Sequence, residues 1–438
     1  ASALASVLGI SLATPAQAVD TLAWTGQGGN ANWSTSTNWT TGFGGSRSPQ
    51  DLDSLVFNNQ ARLVQVVDIS RMLTDISFSA GAGGFTFNSS ATPQALTHLG
   101  NITNSSSFLQ TFNVRLSANG SGTQNWNGGS AGMVLSNAWL PDVVSDNTLN
   151  LQNKVALTNQ GDALLGGVAL ANSTLNILSG SSATTTGALT LGRDFGSQGT
   201  VLVGGLQSKL TSQGDLTVGH GSTGTLTVQN GGVLNSGNTF IGKVLGGDGL
   251  VVVSGTAASW VNTGILSIGE AGAGSARVEA GGKFSSVGAT FGNLDGSAGT
   301  AKVTGANSSW VLSADLQIGR VGEGSLFVEQ GGLVSNRHAT VGTVGDAGTS
   351  RVQVTGAGAS WQNSGDLTVH SGSLTVADGG AVSAKNGSFG QLAGSAAMLS
   401  LSGTGATLSL TDNLWLGGDA STATLNLGKG AVVNSGAQ

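Results

Sequence analysis

A six-residue phrase returns along the second half of the chain. Gly214-Asp215-Leu216-Thr217-Val218-Gly219 recurs as Gly264-Ile265-Leu266-Ser267-Ile268-Gly269 and as Ala314-Asp315-Leu316-Gln317-Ile318-Gly319. It returns a last time as Gly365-Asp366-Leu367-Thr368-Val369, so the period is 50, 50 and then 51 residues. Self-similarity at a fixed period confines a chain to repeat architectures, because each unit buries its apolar face only against its neighbours. The pairs Gly231-Gly232, Gly281-Gly282, Gly331-Gly332 and Gly379-Gly380 keep the same beat, as do Trp260, Trp310 and Trp361.

The unit splits in two. An apolar residue followed by glycine occurs at Gly192, Gly219, Gly242, Gly269, Gly292, Gly319 and Gly342, with gaps alternating 27 and 23. The preceding residues, Leu191, Val218, Ile241, Ile268, Phe291, Ile318 and Val341, form an unbroken apolar column, expected as core. Between them, runs such as Thr225-Leu226-Thr227-Val228 alternate apolar and polar over four to five residues and end in Gly, Asn, Asp or Ser. Such strands and corners fit the turns of an all-β, right-handed parallel β-helix, a β-solenoid of about 25-residue coils in 50-residue double repeats. Coils stacking at about 4.8 Å would make residues 161–438 a rod of roughly 11 coils and roughly 50 Å. A β-propeller also has blades of about this length, but its blades do not divide into two alike coils.

Composition narrows the function classes. Charged residues are 9% of the 438, which leaves nothing for a salt-bridged helical surface. With 16 Lys+Arg and a net charge of −6, no basic footprint for nucleic acid exists. There is no cysteine and there are four scattered histidines, so neither a disulfide framework nor a metal site is expected, and no cofactor. At the N-terminus, the apolar stretch Val7-Leu8-Gly9-Ile10-Ser11-Leu12 followed by Pro15 and Ala16-Gln17-Ala18 reads as the end of an export signal cleaved before Val19. The expected organisation is a signal remnant over 1–18, N-terminal β-rich coils and a cap over 19–160, and the repeat β-helix over 161–438. A cap is needed because a bare solenoid end is an open sheet edge.

The run Val253-Ser254-Gly255-Thr256-Ala257-Ala258-Ser259-Trp260-Val261-Asn262-Thr263-Gly264 is similar to the G-x-x-S-x-W-x-N-x-G repeats of adhesin-type autotransporter passengers. The opening, with Trp24-Thr25-Gly26, Asn32-Trp33-Ser34, Asn38-Trp39 and Asp53-Ser54-Leu55-Val56-Phe57, resembles the start of many such β-strand-repeat surface proteins. The resemblance implies an exported bacterial surface passenger with an adhesive or matrix role, binding a host surface or glycans or associating with itself. It also implies a translocator barrel, or in similar sorted proteins a short anchor, beyond Gln438. The rival readings are a β-helical polysaccharide-acting enzyme and an inert stalk.

Motifs of catalysis are weak here. Gly219-His220-Gly221-Ser222-Thr223-Gly224 matches G-x-G-x-x-G but opens a strand instead of a helix, so it reads as a corner. Gly128-Gly129-Ser130-Ala131-Gly132 matches G-x-S-x-G with no strand-to-helix elbow around it. Gly246-Gly247-Asp248-Gly249 is a single imperfect echo of a calcium nonapeptide. Two columns carry more. Arg193, His220, Lys243, Glu270, Asn293, Arg320 and Thr343 follow the glycines, with His370 at the next equivalent place, as a polar edge stripe, either solvated corners or a weakly basic track for acidic glycans. Nine residues before the glycines, or before His370 where it takes the glycine's place, stand Val233, Trp260, Lys283, Trp310, Leu333, Trp361 and Ala381; eight before stand Leu234, Val261, Phe284, Val311, Val334, Gln362 and Val382. Because the second set is the more apolar and the first contains Lys283, the first is expected outside. Trp260, Trp310 and Trp361, with Lys283, are thus the candidate ligand-binding residues, the alternative being tryptophans that serve as structural ballast at the corner.

Overall fold

The computed structural model describes residues 19–140, 146–344 and 350–436. The expected signal remnant lies outside the described residues. From Ser54 onward the chain winds as a parallel β-solenoid of about 15 turns, so all-β architecture in coils of about 25 residues holds. One short 3-10 segment, Ser36–Asn38, is the only helix among the described residues. Among the described residues, strands stack into three sheets running along the axis, here named A, B and C, of 18, 19 and 11 strands. In one coil, Asp248–Ser254 lies in sheet A, Ser259–Asn262 in B and Leu266–Ile268 in C. The next coil repeats this with Ala273–Glu279, Lys283–Ser286 and Ala289–Phe291. Pairing crosses residue 160 without interruption, since Val155–Asn159 pairs in parallel with Ser182–Thr185.

Alternation at strand period decides what is buried. Sheet A strands such as Asp248–Ser254 bury every second side chain against the axis, and the column Leu191, Val218, Ile241, Ile268, Phe291, Ile318, Val341 is fully buried in sheet C, as expected. The glycine after that column closes the turn back to sheet A. Gly242 has φ +68 and Gly269 φ +73, and a Cβ on either would fall 2.1 or 2.3 Å from the carbonyl oxygen of Ala273 or Ala298. Left-handed backbone and close approach together leave glycine as the side chain that fits.

The alternation of 27 and 23 residues is a property of sheet C alone. In sheet A the partners Thr223, Asp248, Ala273 and Ala298 advance by 25 each time. Odd and even coils differ in their corners: residues 255–258 and 263–265 flank the sheet B strand of one coil, 280–282 and 287–288 that of the next. The first coil type therefore carries one more residue at each corner and recovers it in a shorter return turn.

The N-terminal end is closed by aromatics. Thr21–Trp24 pairs antiparallel with Trp39–Thr41 and parallel with Ser54–Phe57, laying Trp24, Trp33 and Trp39 across the first coils, all fully buried. Ring centroids of Trp24 and Trp39 lie 5.0 Å apart, those of Trp33 and Trp39 5.5 Å, and Phe57, Phe78, Phe87 and Phe112 continue the cluster inward. Each indole N–H is satisfied, Trp24 donating to the Ala61 carbonyl, Trp33 to Gln65 Oε1 and Trp39 to the Trp33 carbonyl. Arg47 forks onto the buried Asp53 carboxylate at 2.6 and 2.8 Å, which fixes the loop between cap and first coil.

Candidate ligand-binding faces

The tryptophan column corrects the expectation drawn from the sequence. Trp260, Trp310 and Trp361 are buried to within 1% and face the axis. In register, sheet B runs Leu234, Trp260, Phe284, Trp310, Val334, Trp361, Val382, which takes alternate members from the two predicted sets. The cause is the extra corner residue. Trp260 stands eight residues before Ile268, whereas Leu234 stands seven before Ile241, so a fixed count from the glycine lands on opposite faces in alternate coils. Lys283 is exposed as expected, but it pairs with Ser259 and Ser309, and Nζ donates to the Asn307 carbonyl at 2.6 Å. It therefore shares no face with the tryptophans, and no ligand reaches the rings without entering the core.

Inside, these side chains work as a stack. The Trp260 and Phe284 rings stack nearly parallel with centroids 4.0 Å apart, those of Phe284 and Trp310 lie 5.0 Å apart, and those of Phe291 and Trp310 5.8 Å. Trp260 Nε1 donates to Ser236 Oγ at 2.9 Å, Trp310 Nε1 to Ser286 Oγ at 2.9 Å and Trp361 Nε1 to Asn336 Oδ1 at 2.8 Å. Asn262, two residues after Trp260, turns inward too and donates to Thr239 Oγ1 and the Gly237 carbonyl. The W-x-N phrase is thus a corner clamp: the ring fills the core and the amide satisfies the preceding coil.

The polar edge stripe is real, and parts of it are self-paired. Arg320 Nη1 donates to Asn293 Oδ1, Asn293 Nδ2 to Glu270 Oε1, and Ser267 Oγ also donates to Glu270. Burial pushes the His220 pKa down, and the nearby Lys243 and Arg193 push it further. Beside this stripe stand Phe195 and Leu245, 84% and 86% exposed at the tips of long return turns, a feature the column counts passed over. Gly219 to Gly224 is a turn leading into a sheet A strand, and Ser130 is an exposed turn residue whose carbonyl accepts from Lys154 Nζ. Among the described residues no group of three His, Asp or Glu could hold a metal ion.

The sequence reading missed a second ladder, at the residue just before each sheet C strand. Down this column stand Asp162, Ala188, Asp215, Asn238, Ile265, Gly288, Asp315, His338, Asp366, Asn386 and Asn413. Their polar side chains tie coil to coil. The Asp162 carboxylate accepts from the Ala188 N–H at 2.8 Å, Asn238 Oδ1 from the Ile265 N–H at 3.0 Å, and Asp315 from the His338 N–H at 3.2 Å. His338 Nδ1 accepts from the Asp366 N–H at 3.0 Å and Asn386 Oδ1 from the Asn413 N–H at 3.1 Å. Asp315 is also gripped by the Arg337 guanidinium at 2.9 and 3.1 Å, which holds its carboxyl below the usual carboxylate range. The recurring G-D-L-T-V phrase was the available signal, its Asp being the ladder residue. Across Ile265 and Gly288 the ladder lapses, and there an open groove of about 640 Å³ lies over the edge of sheet C.

No protein-family model and no curated protein matches the chain. Among solved structures, the TibC-catalyzed hyper-glycosylated TibA55-350 fragment is similar at 15% identity and a TM-score of 0.38, covering 86% of this chain and 98% of that one.

Proposed function

We propose that this chain is a non-enzymatic passenger exported to the bacterial surface, an adhesin-type rod that presents its outer faces to a host surface or to glycans. The observation that carries the reading is how the repeat spends its recurring residues. The recurring glycines close corners, the tryptophans fill the core, and the Asn after Trp260 satisfies the preceding coil. What the repeat specifies is therefore an extended scaffold, while the outward residues differ from coil to coil, as Val233, Ser259, Lys283, Ser309 and Leu333 do along sheet B. A scaffold of constant interior and varied exterior suits display and binding over a length of roughly 70 Å at about 4.8 Å per coil. The similarity of the W-x-N phrase and the tryptophan-rich opening to autotransporter passengers supports the same reading.

The test is direct. Beads coated with the purified chain from Val19 should adhere to cell surfaces more than beads coated with a rod-shaped control protein, and the same chain should show no turnover in ester, peptide and glycan screens. Beads that adhere no better than the control overturn the adhesive reading, and a turnover abolished by Ser130→Ala or by replacing one histidine overturns the non-enzymatic one.

A further inference from the structure

Between Asp162 and Asn413 the ladder at the sheet C corner loses a single link at Ala188 and two successive links at Ile265 and Gly288. The longer gap coincides with the groove. The Ile265 side chain has no acceptor to offer the coil above it, and Gly288 has no side chain at all, so neither the Gly288 nor the Asp315 amide N–H has a partner among the described residues. These two donors sit on adjacent coils, about 5 Å apart. Gly288 lies on one of the short corners, between the longer corners 263–265 and 313–315, and this recesses it.

The walls say which chemistry would fill the gap. Ile265 is 65% exposed and Val287 45%, giving a small apolar patch beside the two donors. Gln317 and Asn238 add amide groups at the rim. The nearest charge, Asp315, is already neutralised by Arg337, so the recess attracts neither a cation nor an anion strongly. At Ala188, Ile265, His338, Asp366 and Asn413 the corner N–H is met by a carboxylate, carboxamide or imidazole acceptor, and for Ile265 that acceptor is the carboxamide oxygen of Asn238. An incoming group that replaces it needs a carbonyl oxygen of amide type, a methyl-sized apolar end for Ile265 and Val287, and a second oxygen one coil away.

We infer that this groove is a binding subsite for an N-acetylated hexosamine. Its acetamido carbonyl accepts from the Asp315 N–H in place of the missing side chain. Its methyl packs on Ile265 and Val287, and a hydroxyl of the same ring accepts from the Gly288 N–H. The inference deepens the adhesive reading, on which it rests for the presence of glycan at the rod's surface.

Titration calorimetry with triacetylchitotriose against cellotriose tests it, because the two differ in having acetamido or hydroxyl groups on the same backbone. The expected result is binding of triacetylchitotriose at least tenfold tighter than cellotriose. Ile265→Asp, which installs the residue found at Asp215, Asp315 and Asp366, should offer its carboxylate to the Gly288 N–H and lower affinity at least tenfold without lowering the melting temperature. Gln317→Ala is a second variant that leaves the corner backbone untouched and should weaken binding severalfold, while Val311→Asp, on the outer face of sheet B, should change nothing. Equal affinity for the two sugars, no heat with either at millimolar concentration, or full binding by both Ile265→Asp and Gln317→Ala overturns the subsite. If coated beads still adhere while triacetylchitotriose neither binds nor competes, the subsite fails and the adhesive reading stands. If triacetylchitotriose binds and the beads do not adhere, the adhesive reading fails instead.

Discussion

Replacing Trp310 by Ala separates a core ring from an outer one. Trp310 is 1% exposed, lies 5.0 Å from Phe284 and 5.8 Å from Phe291 with both rings nearly parallel to it, and donates Nε1–H to Ser286 Oγ. Truncating a buried Trp to Ala costs about 3–5 kcal/mol, and two lost ring contacts place this site in the upper part of that range. Trp310→Phe keeps most of the volume and removes the Nε1–H, so about 1–2 kcal/mol is expected from the unpaired Ser286 hydroxyl and the smaller ring. Val311→Ala, one residue on and 46% exposed, should stay within about 0.5 kcal/mol of wild type. Guanidinium unfolding followed by circular dichroism gives the three values. Because coils couple chiefly to their neighbours, the Ala variant should also open its own coils early, visible as hydrogen exchange concentrated between the flanking strands. Fluorescence supplies an independent reading: the emission lost from wild type should be blue-shifted and resistant to acrylamide. An Ala variant within about 1 kcal/mol of wild type, together with loss of a red-shifted and readily quenched component, would refute the inward assignment of sheet B.

Three further outcomes follow from particular sites. His98 is fully buried between Leu73 and Ala118 in sheet B, and burial pushes its pKa down to about 4. From about pH 6.5 downward the unfolded chain binds a proton that the folded one refuses, so stability is lost as pH falls to about 4, by about 3 kcal/mol in all; urea midpoints across that window should show it, and His98→Leu should flatten the slope. Gly269→Ala should cost at least about 1–2 kcal/mol from left-handed backbone alone, with the 2.3 Å approach to the Ala298 carbonyl adding to it, and thermal melts that match wild type would contradict the corner geometry. Arg47→Ala removes the fork on buried Asp53 and should cost about 1.5–3 kcal/mol, exposing the cap to proteolysis between Trp39 and Ser54 before the repeat coils are cut.

The parts of the fold that could be read from the sequence are those where one residue type answers one physical demand. A glycine that must adopt positive φ and sit about 2 Å from where a neighbouring carbonyl excludes a Cβ repeats as glycine, and so Gly219, Gly242 and Gly269 marked the coils and the column before them marked the core. A cap was expected because a bare solenoid end is an open sheet edge, but that Trp24, Trp33 and Trp39 fill it was not read, and the antiparallel return of Trp39–Thr41 has no period to betray it. The candidate site fared worse. The corner ladder is filled interchangeably by Asp, Asn and His, since each offers an acceptor to the same N–H, and a role shared by three residue types leaves little trace in a repeat count.

The tryptophans show how little separates a buried face from an exposed one in such a rod. Strand side chains alternate, so one residue added to a corner inverts every assignment counted through it. In this chain the addition occurs in every second coil and is withdrawn in the return turn, which keeps sheet A at an even 25 and conceals the shift from any ruler anchored on sheet C. The indoles themselves carried the missing information. Large rings that recur at alternate coils need volume, and Phe284 between Trp260 and Trp310 completes a stack only if all three face the same way. The same corner variation that moves the rings inward also produces the short corner at Val287-Gly288, between two longer ones, and with it the recess beside Ile265. In a solenoid whose interior is held constant, changes of one residue at corners are thus the means by which the exterior acquires a shape that a ligand could distinguish.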